Sequence, residues 1–383
     1  MLFSEVIGQE SAKERLKQMA SGGRMPHALL FLGPPGSGKL ALAIALAQYL
    51  FCDNPGAEDA CGKCNQCNKA AKLIHPDLHF SYPTVGPKAV SDNFHANWRQ
   101  IITANPYIDV NQWLQSIGAE NKQGNITKEE CVNIVKKLSL KTFENNYKVL
   151  IMWLPEFLGK EGNRLLKIIE EPPENTVFIL VAEEQELILN TILSRCQIVN
   201  INGLSDEAVA EGLMQRKGMS RESALSAAYL ASGNFNEALQ IADQQANDNA
   251  ALFLEWMRLC FRGNPIGLVN WVESIARIGR ENQKHFLRYA LHFLREYTLL
   301  KVTGGQGRAR LQENELQTAQ KMTAVLELDQ VDQLAKLFSD CSYGVERNAN
   351  PKVLFLDASI QMHRIMKDKL QEAYQGLKAS SVL

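Results

Sequence analysis

A glycine-rich turn between a predicted buried strand and a predicted helix constrains the fold of this chain most strongly. The turn reads Gly33-Pro34-Pro35-Gly36-Ser37-Gly38-Lys39; the apolar run 28–32 precedes it and the alanine- and leucine-rich run 40–47 follows it. Strand, glycine turn and helix in this order are typical of a phosphate-binding loop, in which backbone N–H groups and a lysine hold phosphate oxygens. The spacing favours a site for ATP or ADP over a turn without a ligand.

The residue after Lys39 is unusual for such a loop. A serine or threonine normally stands there and coordinates Mg²⁺ through its hydroxyl, whereas this chain has Leu40. Leucine has no oxygen to offer a metal, so we expect a nucleotide loop that is vestigial, or that binds without hydrolysis. The candidate nucleotide-binding residues are Gly33, Pro34, Pro35, Gly36, Ser37, Gly38, Lys39 and Leu40.

Composition restricts the partners and the compartment. The 383 residues include 41 basic and 42 acidic side chains, so the formal net charge of −1 provides no general attraction to nucleic acid. No apolar run reaches the roughly 18 residues of a membrane helix, and the first residues lack the pattern of a signal peptide. These features predict a cytoplasmic protein without a membrane partner.

Four of the eight cysteines form a cluster with the spacing C-x8-C-x2-C-x2-C: Cys52, Cys61, Cys64 and Cys67. In a chain without a secretion signal, such spacing favours metal ligation over disulfides. Four thiolates complete a tetrahedral Zn²⁺ site and leave no position for a reactive water, which predicts structural zinc. Free thiols and an iron–sulfur cluster are the alternatives.

The alternation of strands and helices predicts the domain organisation. Up to about residue 203, predicted strands at 28–32, 77–81, 148–154, 177–182 and 197–201 alternate with helical patterns, which indicates an α/β domain with a mostly parallel sheet. Residues 82–125 interrupt this pattern and have no assigned role. Short amphipathic segments at 204–245 predict a three-helix domain and residues 244–249 a linker. Residues 250–383 are predicted to form an all-α domain, with one of its helices running from 313 to 338.

Two further strings identify a family. They are Leu165-Leu166-Lys167-Ile168-Ile169-Glu170-Glu171-Pro172-Pro173-Glu174 and Thr191-Ile192-Leu193-Ser194-Arg195-Cys196. With the phosphate loop and the cysteine cluster, they make the chain resemble the AAA+ clamp-loader subunits of bacterial DNA polymerase III, and the delta-prime type among them. The resemblance implies an AAA+ P-loop domain with an inserted zinc knuckle, a small three-helix lid and a carboxy-terminal collar.

Three departures from the family pattern concern hydrolysis. ATP-hydrolysing relatives end the strand at 148–154 in Asp-Glu, for magnesium and water; here these positions are Trp153 and Leu154, or Met152 and Trp153 without a gap. Asn236 stands where such relatives have an arginine that contacts the γ-phosphate, and Leu40 is the third departure. Glu156 lies nearby, but at least two residues beyond the expected position of the glutamate. We therefore expect no hydrolysis in this chain.

Arg195 is retained. In the family, the Ser-Arg-Cys arginine resembles an arginine finger that points to the nucleotide of a neighbouring subunit, so the resemblance makes Arg195 a catalytic residue in trans. A guanidinium is planar and permanently charged, which suits it to stabilise a transferring phosphoryl group. Taken without the family, a surface arginine is the simpler interpretation.

The predicted function is that of a hydrolytically inactive stator in a clamp loader. The implied partners are the ATPase subunits and delta in a hetero-oligomer, and the sliding clamp and primer-template DNA through the assembly. One alternative is an ATP-hydrolysing gamma/tau-like motor subunit of the same loader. Another is a nucleic-acid binding protein that uses the cysteine knuckle directly.

Overall fold

The computed structural model describes residues 1–22, 25–120, 122–243, 249–304, 309–323 and 326–380. The chain divides into two compact units, Met1–Gln240 and Ile241–Leu383. Residues 244–248 of the predicted linker lie outside the described residues, and Asn249 begins a helix. Each unit is described by itself below.

A parallel five-stranded sheet forms the centre of the first unit. Its strands are β1 (Ala28–Leu32), β2 (Leu78–Ser81), β3 (Lys148–Trp153), β4 (Thr176–Ala182) and β5 (Gln197–Asn200). They lie in the order β2-β3-β4-β1-β5, and every neighbouring pair is parallel. All residues of β3 and β4 are buried, as expected for strands covered by helices on both faces. The five predicted strands are confirmed to within one residue at each end.

Helices surround this sheet. They are α1 (Glu10–Ser21), α2 (Lys39–Phe51), α3 (Asn65–Ala71), α4 (His95–Ala104), α5 (Val110–Ser116), α6 (Lys128–Leu138), α7 (Leu166–Glu170) and α8 (Asn190–Leu193). Shorter 3-10 helices lie at Phe3–Glu5, Ser91–Phe94, Pro155–Leu165 and Gln185–Leu187. Because β1 is flanked by β4 and β5, the loop that follows it lies between the ends of these two strands, at the edge where the parallel strands end.

Three short helices follow the sheet: α9 (Asp206–Lys217), α10 (Arg221–Ala231) and α11 (Phe235–Asp243). Each of the first two begins at a serine whose hydroxyl accepts a backbone N–H, from Ala208 to Ser205 and from Ser223 to Ser220. Gly218 ends α9 with φ +65°, a conformation that favours glycine.

The second unit is entirely helical in its described residues. Its helices are α12 (Asn249–Arg262), α13 (Pro265–Arg277), α14 (Arg280–Val302), α15 (Glu313–Met322), α16 (Leu328–Glu346) and α17 (Pro351–Ser380). Trp256 and Trp271 stack in its core with ring centroids 4.7 Å apart, and the indole N–H of Trp256 donates to the Ser359 hydroxyl at 2.8 Å. The parallel sheet with its helices, the inserted cysteine module, the short helices and the helical second unit confirm the predicted α/β domain followed by short helices and an all-α domain.

Candidate nucleotide site, trans arginine and metal site

The phosphate loop has the backbone that its sequence predicts. It connects the end of β1 to the start of α2, and Gly36 and Gly38 have φ values of +65° and +89°. Gly33 has a different reason to be glycine, because a Cβ there would lie 1.9 Å from the carbonyl oxygen of Ile201. The predicted residues from Gly33 to Leu40 therefore form one continuous turn and helix start. Leu40 is buried in the first turn of α2.

Lys39 is the residue expected to bind phosphate, but its ammonium contacts groups of its own chain. Its ammonium donates to the carbonyl of Pro34 at 2.6 Å and to the Ser37 hydroxyl at 3.5 Å. It also lies 3.7 Å from a carboxylate oxygen of Glu183, the residue directly after β4. Only 4% of the Lys39 side chain is exposed.

Burial dominates the electrostatics around this lysine. Desolvation lowers the pKa of Lys39 to about 8, although the charge of Glu183 and then that of Glu156 act in the opposite direction. Desolvation also raises the pKa of Glu183 and of Glu156, against the opposing effect of Lys39. Burial thus shifts the pKa of both carboxyl groups upward and that of the amine downward, and their opposite charges partly oppose these shifts.

Glu156 lies near the position of the missing catalytic glutamate. Its side chain accepts hydrogen bonds from backbone N–H groups. One of its carboxylate oxygens accepts the N–H groups of Glu183 and Glu184. Its other oxygen is buried and has no hydrogen-bond partner among the described residues. Glu156 therefore links the loop after β3 to the loop after β4.

The start of α11 lies against the phosphate loop. The backbone N–H of Phe235 donates to the carbonyl of Gly36 at 3.1 Å. The side-chain oxygen of Asn234 is so close that a Cβ added to Gly36 would lie 1.8 Å from it. The same oxygen accepts the N–H of Glu237 at 3.2 Å and so caps α11.

Aromatic and amide side chains reinforce this cover. The Tyr107 ring contacts Phe235 at 4.9 Å between centroids, and the Arg216 guanidinium lies over both rings at 5.2 and 5.3 Å. The Tyr107 hydroxyl accepts the N–H of Ile7 at 2.9 Å. Gln9 donates to the carbonyl of Ser37 at 2.9 Å. The chain's own side chains thus surround the loop.

A buried aromatic cluster surrounds the end of β3. Trp153 ends β3 and lies 5.3 Å from Trp98, which in turn stacks on Tyr82 at 4.0 Å. Trp113 meets Trp98 edge-on at 5.1 Å. Tyr82, Trp98 and Trp113 all come from residues 82–125, so this segment supplies a core that packs against the end of β3.

Leu154, which follows Trp153, and Asn236, at the second departure, are also buried and make hydrogen bonds. Leu154 has φ +56°, a conformation that bulky residues rarely adopt, and its N–H continues the sheet by donating to Val181. Asn236 accepts from the amide of Asn105 at 3.1 Å and donates to Asp109 at 3.3 Å. Both positions serve the packing of the chain.

Arg195 lies at the surface between α8 and β5. Its side chain is 29% exposed, and Nε and Nη2 donate to one oxygen of Glu170 at 3.2 and 3.0 Å. Nη1 donates to the carbonyl of Thr191 at 2.8 Å. The pairing with Glu170 was not anticipated from sequence, because nothing in either string indicates that they meet.

The four predicted cysteines come together. Their sulfur atoms all lie within 4.8 Å of one another, and those of Cys61 and Cys67 are 4.0 Å apart. Zinc–sulfur bonds of about 2.3 Å in a tetrahedron require sulfurs about 3.8 Å apart, so the set fits the ion. Backbone N–H groups donate to the sulfurs of Cys52, Cys61 and Cys64, while burial raises the pKa of Cys52 and of Cys67. The N–H groups of Lys63 and Cys64 lower the pKa of Cys61 to about 6.

The cysteine module contacts the first residues of the chain. Asp59 accepts the N–H groups of Phe3 and Ser4 at 3.1 and 2.9 Å. Lys17 on α1 pairs with Glu58 at 2.6 Å. His75 connects the module to the end of α2, because its ring stacks on Phe51 at 4.0 Å and its Nε2 meets the Gln66 side chain at 2.8 Å. The module is thus an integral part of the first unit.

Sequence analysis missed the two residues that most affect Lys39 and Gly36, namely Glu183 and Asn234. A signal existed for Glu183: it directly follows β4, and β4 neighbours β1 in the parallel sheet, so both strand ends lie at one edge. No comparable signal existed for Asn234, since it lies 198 residues beyond Gly36 in the chain.

Comparisons with known proteins concern mainly the first unit. The family model described as DNA polymerase III, delta subunit, matches residues 8–205. A Bacillus subtilis (strain 168) protein named DNA polymerase III subunit delta' is 28% identical over 194 residues, 50% of this chain and 47% of that protein. Its namesake from Escherichia coli (strain K12) is 26% identical over 231 residues, 60% of this chain and 58% of that protein.

A third relative has a different name. The Mycobacterium tuberculosis (strain H37Rv) protein named DNA polymerase III subunit gamma/tau is 30% identical over 194 residues, 50% of this chain and 27% of that protein. The chain therefore spans about half the length of the first two relatives and a smaller share of the third. Within the described residues, no helix is long and apolar enough to cross a membrane.

Proposed function

Because this chain belongs to the family described as DNA polymerase III, delta subunit, we propose that it is a delta-prime-like clamp-loader subunit that does not hydrolyse ATP. In this role it joins ATPase subunits and delta in a cytoplasmic hetero-oligomer. The assembly uses ATP to open the sliding clamp and load it onto primer-template DNA. The resemblance of the sequence motifs to clamp-loader subunits of delta-prime type is confirmed by the family match and by the relatives' names.

The proposal depends most on the two residues at the end of β3, neither of which is acidic. Magnesium-dependent hydrolysis needs an acidic group there to hold the ion and another to polarise water. Trp153 and Leu154 are each only 3% exposed, and Trp153 packs into a cluster of aromatic rings. No rotation of these side chains supplies a carboxylate. This supports a chain that lacks the hydrolytic chemistry itself.

The surroundings of the phosphate loop support the same proposal. A bound nucleotide would need the Lys39 ammonium and the loop N–H groups, yet Lys39 donates to Pro34 and faces Glu183. Asn234 lies on Gly36 where the loop must open toward phosphate. We therefore favour a vestigial nucleotide loop. A nucleotide that entered would displace these contacts, without gaining a magnesium ligand at Leu40.

The contribution of this chain to catalysis is, in our proposal, Arg195 in trans. An arginine supplied to a neighbour's nucleotide typically changes turnover by about 10³ to 10⁵, equivalent to about 4 to 7 kcal/mol of barrier. The Arg195 side chain, which follows α8 and is 29% exposed, is accessible to another subunit. Zinc held by the four cysteines would have a structural role, since four sulfur ligands leave no open coordination position.

The alternatives predict different chemistry. A gamma/tau-like motor is favoured by the 30% identity to a gamma/tau relative, but it requires the acidic residues that the end of β3 lacks. Direct nucleic-acid binding by the cysteine module is disfavoured, because Asp59 and Glu58 of that module contact the chain's own first residues and α1.

ATP turnover by the purified chain tests the proposal. We expect the rate at saturating Mg·ATP to equal that of a Lys39→Ala variant and of buffer, while a reconstituted loader in the same assay hydrolyses ATP. A magnesium-dependent rate that disappears in Lys39→Ala would establish an autonomous ATPase and reject the proposal.

A further inference from the structure

The two strings that carry the family resemblance meet in an ion pair. Glu170 ends α7, in the Glu-Glu-Pro-Pro string, and accepts Nε and Nη2 of Arg195 at 3.2 and 3.0 Å. We propose that Glu170 is a positioning residue, which holds the Arg195 guanidinium in the orientation from which it reaches the nucleotide of a neighbouring subunit. This inference rests on the proposed trans role of Arg195.

The guanidinium is held from two directions. Glu170 contacts the edge formed by Nε and Nη2, while Nη1 donates to the Thr191 carbonyl at 2.8 Å and lies 3.4 Å from the Ser194 hydroxyl. These four contacts leave at least one of the five N–H donors available, because a guanidinium carries five. The side chain is therefore oriented by its own chain and still has a donor for a phosphate oxygen.

Both Glu170 and Arg195 stand at the ends of helices, which defines their backbone positions, and the Glu170 side chain is 57% exposed. Glu170 lies at the last position of α7, and Pro172-Pro173 prevents the helix from continuing. Arg195 directly follows the turn that ends α8, whose last N–H groups close on Asn190 and Ile192. An arginine loses side-chain entropy when it is ordered, and a partner that orders it beforehand removes part of that loss from the binding step.

Glu170 also has an effect that opposes catalysis, so the direction in which turnover changes distinguishes the two roles. A carboxylate 3 Å from the guanidinium also repels the neighbour's phosphates. If repulsion dominated, removing the charge of Glu170 would raise turnover. If positioning dominates, the same substitution lowers turnover. A misoriented arginine stabilises the transition state much less, whereas binding of the ground state changes little.

The test uses a reconstituted loader in which the neighbouring subunit has the single intact hydrolytic site. We expect Glu170→Gln to lower kcat by about three- to tenfold and to leave KM for ATP within about twofold. Glu171→Gln is the matched control, because it makes the same charge change one residue later, at an exposed side chain. We expect its kcat to stay within about twofold of the parent.

A double substitution distinguishes positioning from a structural role. If Glu170 acts through Arg195, Glu170→Gln causes no further loss in an Arg195→Ala background. An unchanged or raised kcat in Glu170→Gln, or an equal loss in both backgrounds, overturns the inference.

NMR of the free chain separates failure of this inference from failure of the trans role. We expect Glu170→Gln to speed exchange of the Arg195 Nε–H with water by at least about threefold and Glu171→Gln to leave it unchanged. If Arg195→Ala does not affect the loader, the trans role fails, and the exchange measurement still decides whether Glu170 orders Arg195. Unchanged exchange in Glu170→Gln rejects the positioning role.

Discussion

Asn234 lies directly on Gly36 of the phosphate loop, and a Cβ on residue 36 would come within 1.8 Å of the Asn234 side-chain oxygen. The N–H of the next residue, Phe235, donates to the carbonyl of Gly36 at 3.1 Å. The loop that binds phosphate in active nucleotide sites is therefore a packing surface for α11 in this chain. The same contact determines which residues the loop tolerates.

Gly36→Ala tests this contact through stability. The substitution combines a left-handed backbone at φ +65° with the collision against Asn234. We expect it to lower the free energy of unfolding by about 2 to 4 kcal/mol in urea melts. Gly218→Ala is the matched control, because Gly218 also has φ +65° and its Cβ would meet no atom within 4 Å.

We expect Gly218→Ala to lower the free energy of unfolding only by the cost of the left-handed backbone, about 1 to 2 kcal/mol. Adding Asn234→Ala to Gly36→Ala should recover part of the difference between the two variants. Equal losses at positions 36 and 218 would show that Asn234 does not restrict the loop.

The titration of Lys39 tests the electrostatics of the loop. Burial lowers the pKa of this lysine to about 8, and the negative charge of Glu183 partly opposes that shift by favouring the ammonium. Glu183→Gln should therefore lower the pKa of Lys39 further, as followed by NMR of the lysine side chain. Glu184→Gln, one residue later and exposed, should leave it unchanged. A Lys39 pKa near the ordinary value of a lysine would contradict the buried arrangement.

Trp153→Asp tests whether an acid can be restored at the end of β3. The tryptophan is 3% exposed and contacts Trp98, so the variant loses aromatic packing and buries a carboxylate. We expect a loss of at least about 3 kcal/mol in the free energy of unfolding and no ATP turnover. Trp153→Phe should lose less, because it keeps an aromatic ring. A stable Trp153→Asp protein that hydrolyses ATP would contradict the proposal that aromatic packing at the end of β3 excludes a catalytic acid.

The five strands and the four-cysteine cluster could be predicted from sequence because their signals are local. Apolar runs of strand length predicted β1 to β5, and the cysteine spacing predicted that the four thiols lie together. The pairing of Arg195 with Glu170 and of Lys39 with Glu183 could not be predicted, because it depends on how distant loops meet.

One helix prediction was wrong for an identifiable reason. The apolar pattern from 313 to 338 predicts a single helix, whereas α15 ends at Met322 and α16 begins at Leu328. The Tyr297 hydroxyl donates to the carbonyls of Met322 and Leu326 at 3.1 and 2.6 Å. Glu327 then caps α16. A side chain from α14 thus stabilises the break, which periodicity alone does not reveal.

Metal analysis tests the cysteine module. We expect one zinc ion per purified chain, and Cys64→Ser to lose it, since three sulfurs do not complete the site. Zinc binding contributes on the order of 10 kcal/mol to ordering such a module, so chelation should also release the contacts of Asp59 with Phe3 and Ser4. Cys196→Ser, outside the cluster, should keep the ion. Iron in place of zinc, or full zinc content in Cys64→Ser, would contradict this assignment.

The central claim is that this chain lacks hydrolysis of its own and supplies Arg195 to a neighbour. Its most direct test is single-turnover ATP hydrolysis in a loader whose only intact site lies beside this subunit, with assembly verified by size-exclusion chromatography. We predict that Arg195→Ala leaves the complex assembled and lowers the hydrolysis rate by about 10³-fold or more. An assembled complex that hydrolyses ATP at the parental rate with Arg195→Ala would contradict the claim.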